Sequence, residues 1–361
     1  MRTGTANLPL HSGAAPAWLF GRMVKLSREI VSLLVMEFGS GEVLARLSDP
    51  YWFQAFGCVL GFDWHSSGVT TTVCGAVKEG LHGLEGELGL FVAGGKGRTS
   101  RLTPEQIRQH AERQSLAVDA ESLVYASRMS AKIDNTAVQD GYQLYHHTFL
   151  FNTAGTWAVV QQGMHDANGM ARRYHWLSQG LESFVNEPHA AICAPDRGQL
   201  VLNMVAGEAN ENRQTTAQLA GEHPDKLTKE IVRMQELTLP RRHEVLVTDL
   251  NPKTLHKMLL KTYERQPETF QQLLEIEGVG AKTVRALAMI ADLLYGAPAS
   301  TRDPALYSFA HGGKDGFPYP VDKKNYDHSI GVMKSAVQRA KIGDREKVEA
   351  LKRLGRFYEV E

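Results

Sequence analysis

Apolar residues recur at every third or fourth position over residues 18–38, and this spacing predicts an amphipathic helix. Gly39 and Gly41 follow the pattern directly and indicate where the helix ends. The apolar positions on the shared face are Leu19, Met23, Leu26, Ile30 and Leu33. The next apolar stretch, residues 51–81, is interrupted by glycines at 57, 61, 68 and 75. We expect short buried segments separated by tight turns there.

A strand, a glycine-rich loop and a helix are predicted over residues 86–113. The helix is expected to begin with Thr103 as its N-cap and Pro104 at its first position. Gln106 stands three residues after Thr103, which is the spacing of a capping box. The sequence therefore predicts a well-defined helix start behind the glycines.

Two β-rich runs within residues 141–163 are separated by Asn152 to Gly155, and this arrangement predicts a β-hairpin. Shorter β-rich runs follow at 189–194 and 199–206. From Gly207 onward the chain becomes polar and then helical. The pattern as a whole favours an α+β fold, with a mixed N-terminal part, a helical middle region and a helical C-terminal part.

Net charge and cysteine spacing indicate which partners and which cellular compartment to expect. The chain has 361 residues and no net charge, but residues 1–223 carry 17 Lys and Arg against 21 Asp and Glu, whereas 224–361 carry 23 against 19. This weak asymmetry suits an acidic half joined to a half that meets an anionic polymer. The cysteines form no metal-binding spacing and indicate a reducing compartment, so we expect a cytoplasmic protein. We find no apolar run of membrane-spanning length and no signal peptide.

Residues 273–287 place Gly278, Val279 and Gly280 between two apolar-periodic flanks. Glycine permits positive φ and close backbone approach, so a tight turn between two helices is expected. The segment resembles the helix-hairpin-helix motif, which grips a DNA backbone without reading bases. The predicted DNA contacts are Gly278, Val279, Gly280, Lys282, Thr283 and Arg285. The alternative is a joint between helices that binds nothing.

Carboxylates close to histidine and lysine suggest a site for Mg²⁺ or Mn²⁺, ions that catalyse phosphodiester hydrolysis. Asp63 and His65 would share one face of an extended segment, away from the aromatic residues beside them. The alternative is an aspartate that caps a turn beside a hydrogen-bonded histidine.

A second acidic cluster lies over residues 130–147, where Lys132 and Asp134 alternate and Asp140 precedes the predicted hairpin. His147 is our choice from the His-His pair, because neighbouring strand residues point to opposite faces. Gln162 is added as a group that orients water or phosphate. The predicted metal ligands are Asp63, Asp134 and Asp140, and the remaining catalytic candidates are His65, Lys132, His147 and Gln162. The alternative is surface acids with solvated histidines.

Two basic segments are candidate DNA contacts. Lys96 and Arg98 lie in the glycine-rich loop, whose backbone amides suit a phosphate but whose spacing is not that of a nucleotide-binding loop. Arg172 and Arg173 are followed by aromatic residues, as in proteins that bind single strands by charge and stacking. A helix surface beside core aromatics is the alternative for this second segment.

Asp322 in "PVD" resembles the catalytic aspartate of helix-hairpin-helix base-excision glycosylases. An insertion separates it from the hairpin, and Gln271 and Gln272 stand where bifunctional members carry a lysine. The resemblance therefore implies at most a monofunctional glycosylase, and a helix cap is the favoured interpretation of Asp322.

Long segments, among them "SDPYWFQAFGCVLGFDWHSSG", "GGKGRTSR" and "MARRYHWLS", resemble the prokaryotic family known as domain of unknown function 763. The resemblance implies a nucleic-acid enzyme that ends in a helix-hairpin-helix region. We expect a catalytic domain over 1–205, a connecting region over 206–260 and a DNA-binding domain over 261–361. The predicted activity is metal-dependent cleavage of single-stranded or branched DNA in repair or recombination. A helicase and a second copy of the chain are further candidate partners, and a non-catalytic DNA-binding factor is the alternative.

Overall fold

The computed structural model describes residues 15–62, 67–165, 169–194, 201–236, 251–305, 331 and 333–358. An antiparallel sheet is combined with many helices, so the predicted α+β class is confirmed. Asp63, His65 and Asp322 lie outside the described residues.

The N-terminal segment forms a layer of helices: α1 (Ala17–Phe38), α2 (Ser40–Ser48), α3 (Pro50–Leu60), α4 (Gly68–Leu81) and α5 (Glu85–Leu88). The predicted first helix is confirmed. The described part of residues 51–81 belongs mainly to the helices α3 and α4. A turn follows α3 at Gly61, which has φ +106, whereas Gly57 lies inside α3 and permits close helix packing. A Cβ at Gly57 would lie 2.5 Å from Val69 Cγ2.

Strand β1 (Leu90–Lys96) leads through a 3₁₀ turn (Gly97–Leu102) into α6 (Thr103–Arg113), which confirms the predicted strand, loop and helix. The predicted capping box is wrong. Leu102 is the N-cap, and Thr103 Oγ1 donates to Ser100 O. Gln106 Oε1 instead accepts hydrogen bonds of 2.8 Å each from Gly94 N and Lys78 Nζ, so it fixes the end of β1.

Helix α7 (Ala120–Thr136) precedes the remaining strands: β2 (Val138–Gln139), β3 (Gln143–Asn152), β4 (Trp157–His165), β5 (Met170–Leu177), β6 (Ala191–Cys193) and β7 (Leu202–Asn203). The five-stranded sheet has the order β1-β3-β4-β5-β6, with antiparallel pairing throughout. Strands β2 and β7 form a separate pair. The β3–β4 hairpin confirms the strongest strand prediction of the sequence.

Both faces of the five-stranded sheet are covered. One hydrophobic cluster joins Phe149, Val159 and Trp176 to α7 and to the later helices. A second joins Leu150 and Val160 to α1–α4. Because alternate residues of each strand enter different clusters, the sheet is the middle layer of the protein.

The later helices are α8 (Asn210–Ala220), α9 (Pro224–Glu236), α10 (Pro252–Arg265), α11 (Phe270–Glu275), α12 (Ala281–Tyr295) and α13 (Asp344–Tyr358), with a 3₁₀ turn at Gly207–Ala209. The first cluster runs from the sheet into α8–α12 and crosses the predicted boundaries near 205 and 260. Helix α13 packs against α3 within the second cluster. Across the described ranges, no helix is long and apolar enough to span a membrane.

Candidate functional site

Asp134 lies fully buried on the inner face of α7, where it contacts the sheet. Its Oδ2 accepts hydrogen bonds from Gln161 Nε2 and, at 2.9 Å, from Trp176 Nε1. Its Oδ1 lies 2.5 Å from His189 Nε2. Three side-chain donors therefore occupy both carboxylate oxygens.

Asp140 is also buried, in the turn between β2 and β3. Its Oδ2 accepts from Arg172 Nη1 at 2.7 Å and from the Tyr174 hydroxyl at 2.8 Å. Its Oδ1 accepts from Tyr142 N at 3.1 Å. The second guanidinium nitrogen of Arg172 donates to Asp303 at 2.8 Å, so one buried cation joins two carboxylates.

This donor set does not fit the predicted metal ligation by Asp134 and Asp140. A metal ligand needs a carboxylate lone pair directed at the ion, whereas these oxygens already accept N–H and O–H groups. Among the described residues, no group of three or more His, Cys, Asp or Glu side chains is placed to hold a metal ion. In this conformation each aspartate is the centre of its own structural hydrogen-bond network inside the protein.

Lys132 does not join Asp134, because the segment is a helix and not the alternating strand that the prediction assumed. Residues two apart on a helix point in different directions. The Lys132 ammonium instead donates to the backbone carbonyl of Val279, and partial burial lowers its pKa. The predicted role of Lys132 beside the aspartates is therefore wrong, and the side chain supports the glycine turn.

His147 and Gln162 lie on opposite faces of the hairpin and do not share a site. His147 faces α7, with Nδ1 2.7 Å from Gln161 Oε1 and Nε2 2.9 Å from Ser127 Oγ. Burial lowers the pKa of His147. Gln162 faces the α1–α4 layer, where its Nε2 donates to Ser67 O at 3.0 Å. The predicted catalytic set is therefore divided by the sheet.

The glycine turn joins α11 to α12 at the protein surface. Gly278 has φ +91, as predicted, but Gly280 has φ −129 and ψ −175, an extended conformation open to other residues. Val279 is buried and fixes the turn to the core, whereas Gly278 and Lys282 are exposed. Two helices joined by a tight glycine turn, as expected from the sequence, are therefore present.

Three side chains hold the carbonyl groups of this turn. Lys132 donates to Val279 O, Gln139 to Ala281 O at 2.9 Å and Lys261 to Glu277 O at 2.6 Å. In a trans peptide the N–H points opposite to the carbonyl. The N–H groups that follow these carbonyls, those of Gly278, Gly280 and Lys282, are consequently directed away from the three donors.

Besides the buried Val279, two further predicted contacts in the turn face inward. Thr283 is 4% exposed. Arg285 Nε donates to Gln139 Oε1 at 2.8 Å, which turns the guanidinium toward β2. Gly278, Gly280 and Lys282 are the predicted contacts that reach the surface of the turn.

The two basic segments differ in exposure. Lys96 and Arg98 are exposed at the end of β1, as the prediction requires. Arg172 and Arg173 are 0% exposed and lie on β5, not on a helix. Their predicted contact with DNA is wrong for this conformation, because Arg172 pairs with interior carboxylates and Arg173 Nε donates to His175 at 2.8 Å.

The sequence profile of a family described as "Protein of unknown function (DUF763)" matches residues 4–321. The chain belongs to the DUF763 family. No curated protein and no solved structure matches this chain.

In this DUF763 protein, the sequence patterns did not identify several members of the two buried networks. Asp303 stands in an irregular segment without periodicity, and His189 opens the predicted β-rich run at 189–194 but lies just before β6, so neither position pointed to Arg172 or Asp134. Tyr174 and Trp176 did carry a signal, since they alternate with Arg173 and His175 as strand residues do. Interpreting that segment as a strand would have placed both aromatics on one face, which is the face that contacts Asp140 and Asp134 in the structure.

Proposed function

We propose that this DUF763 protein binds the phosphate backbone of DNA through the turn between α11 and α12. The observation that carries the proposal is the orientation of three backbone N–H groups away from their anchored carbonyls, at an exposed turn. Lys282 adds an exposed cation beside them.

The N-terminus of α12 favours a bound anion. This helix has 15 residues, and its aligned peptide dipoles place partial positive charge at Gly280 and Ala281. The two acidic side chains near this N-terminus have partners of their own. Glu277 lies 3.8 Å from the Lys261 ammonium, and Glu275 accepts a 2.5 Å hydrogen bond from the Tyr125 hydroxyl. Phosphate contacts of this kind position a protein on DNA without reading sequence.

Fluorescence anisotropy with two labelled duplexes of unrelated sequence tests the proposal. Lys282→Ala should weaken binding to both duplexes alike and reduce the slope of log K against log salt by about 1. Lys25→Ala is the matched control, since Lys25 is an equally exposed lysine on α1. If Lys282→Ala binds both duplexes as tightly as the native protein, the turn is only a joint between helices.

Metal-dependent cleavage of the bound DNA, in repair beside a helicase, stays a prediction. Its first candidate pair, Asp63 and His65, lies outside the described residues. Incubation of labelled single-stranded and branched DNA with Mg²⁺ or Mn²⁺, with and without EDTA, decides it. If the DNA stays intact in every reaction, the alternative of a non-catalytic DNA-binding factor is favoured. Abasic sites that alkali cleaves indicate the glycosylase alternative.

A further inference from the structure

Two histidine–glutamine pairs lie back to back in the β3–β4 hairpin, one on each face of the sheet. His146 is opposite Gln162, and His147 is opposite Gln161. All four side chains are at most 5% exposed. On the α7 side the pair is bonded, with His147 Nδ1 2.7 Å from Gln161 Oε1. The same residue types in the same register therefore provide a direct comparison for the other face.

The pair on the other face lacks the corresponding bond. In the part of the chain that the structure describes, His146 Nδ1 and Gln162 Oε1 are buried without a hydrogen-bond partner. Gln162 turns its amide N–H groups to Ser67 O and to the Tyr145 hydroxyl, and His146 Nε2 lies 2.9 Å from Thr148 Oγ1. Buried polar atoms without partners are costly, so a ligand that supplies a hydrogen-bond partner to each atom would stabilise this face.

An irregularity in β3 brings a third polar group to this face. The register shifts between Leu144 and His146, which leaves Tyr145 as the extra residue of a β-bulge. Bulges redirect side chains and are frequent beside binding sites. The Tyr145 hydroxyl accepts a hydrogen bond from Gln162, so its own hydrogen can be donated to a ligand.

Charge indicates which class of ligand fits. Lys96, His146, Gln162, Arg173 and Cys193 are successive partners across the five strands, and we call them the polar row. Lys96 lies at one end of the polar row, where its side chain is exposed, and its Nζ is 6.0 Å from the ring centroid of Tyr145. Arg173 is buried at the other side of Gln162. Cations on both sides of the pair favour an anion over a metal ion.

We propose that the polar row binds a phosphate group that still carries an O–H. Phosphate oxygens accept from Lys96, from Tyr145 and from the Nδ1–H tautomer of His146, in which Nε2 accepts from Thr148. Gln162 Oε1 can only accept, so the ligand must donate to it. Inorganic phosphate and a protonated monoester have such an O–H, whereas sulfate and an internal phosphodiester do not. The proposal does not depend on DNA binding by the glycine turn.

Isothermal titration at pH 7 with inorganic phosphate and with sulfate, at equal ionic strength, tests the discrimination. Phosphate should bind about fivefold to tenfold more tightly, as expected for one hydrogen bond. Lys96→Gln should weaken phosphate binding without disturbing the core, because Lys96 is exposed. Gln162→Met should abolish the preference over sulfate. Gln161→Met is the matched control on the opposite face and should retain it.

A second titration at pH 5.5 distinguishes the sources of the phosphate. The second pKa of a phosphate monoester is about 6, so a 5′-phosphorylated dinucleotide then carries the O–H. Tighter binding of the dinucleotide than of inorganic phosphate identifies a phosphorylated strand end as the ligand, and the reverse identifies free phosphate. Equal affinity for phosphate and sulfate overturns the proposal. So does stabilisation by Mn²⁺ that is lost in His146→Leu, which would identify a metal site instead.

Discussion

The two glycines of the surface turn should respond to alanine in opposite directions. Gly278 has φ +91, and a Cβ there would lie 2.6 Å from Met258 Cε. An alanine at positive φ costs about 1–2 kcal/mol, and displacement of the flexible Met258 side chain adds to it. Gly280 has extended angles, and the nearest atom to a Cβ at this residue would be Gly278 O at 3.9 Å. Alanine there should stabilise by about 0.4–1 kcal/mol, because it restricts the unfolded chain.

Urea denaturation followed by circular dichroism measures both effects. The free energy of unfolding of Gly278→Ala should fall by at least about 1 kcal/mol, while that of Gly280→Ala should be unchanged or rise. The difference between the two variants is then at least about 1 kcal/mol, which is resolved when the slopes of the two transitions agree. Equal destabilisation by both alanines would show that Gly280 also needs the freedom of glycine, and the assignment of strain to Gly278 alone would be refuted.

Three further outcomes are expected. Arg172→Met leaves two buried carboxylates without their shared cation. The free energy of unfolding measured in urea titrations should fall by about 3–5 kcal/mol, and a loss below about 1 kcal/mol contradicts the ion-pair network. Burial lowers the pKa of His146 to about 3, so the contribution of this neutral histidine to stability should be complete above about pH 6.5 and be lost as the pH falls toward 3. His146→Leu should reduce that slope by up to about 1.4 kcal/mol per pH unit, and an unchanged slope argues against a neutral buried histidine. Gly57→Ala should lower Tm, because its methyl would lie 2.5 Å from Val69, whereas the exposed Gly21→Ala on α1 meets no atom within 4 Å and should not.

The hairpin and the first helix could be predicted because period and turn chemistry agree there with the final packing. The helices within residues 51–81 could not be predicted. A glycine that permits close approach to Val69, as Gly57 does, is the same residue type as a glycine that makes a turn. The sequence alone does not distinguish those uses of glycine.

The candidate site shows a similar limit. Lys132 and Asp134 are two residues apart, and their separation into different contacts depends on α7 being a helix. Arg172 and Arg173 look like surface cations by composition, but their burial depends on carboxylates and amides brought from distant segments. Such long-range partners are set by the tertiary fold, so local patterns do not reveal them.

Helix α13 packs against α3, although nearly 300 residues separate them along the chain. Its Arg353 donates two hydrogen bonds to Val59 O, and Leu354 enters the same cluster as the α1–α4 core. During synthesis the N-terminal helices leave the ribosome first. Their apolar surface beneath α13 therefore stays uncovered until nearly 300 further residues have been synthesised, so the first layer is completed only after the sheet and helices α6–α12 have left the ribosome.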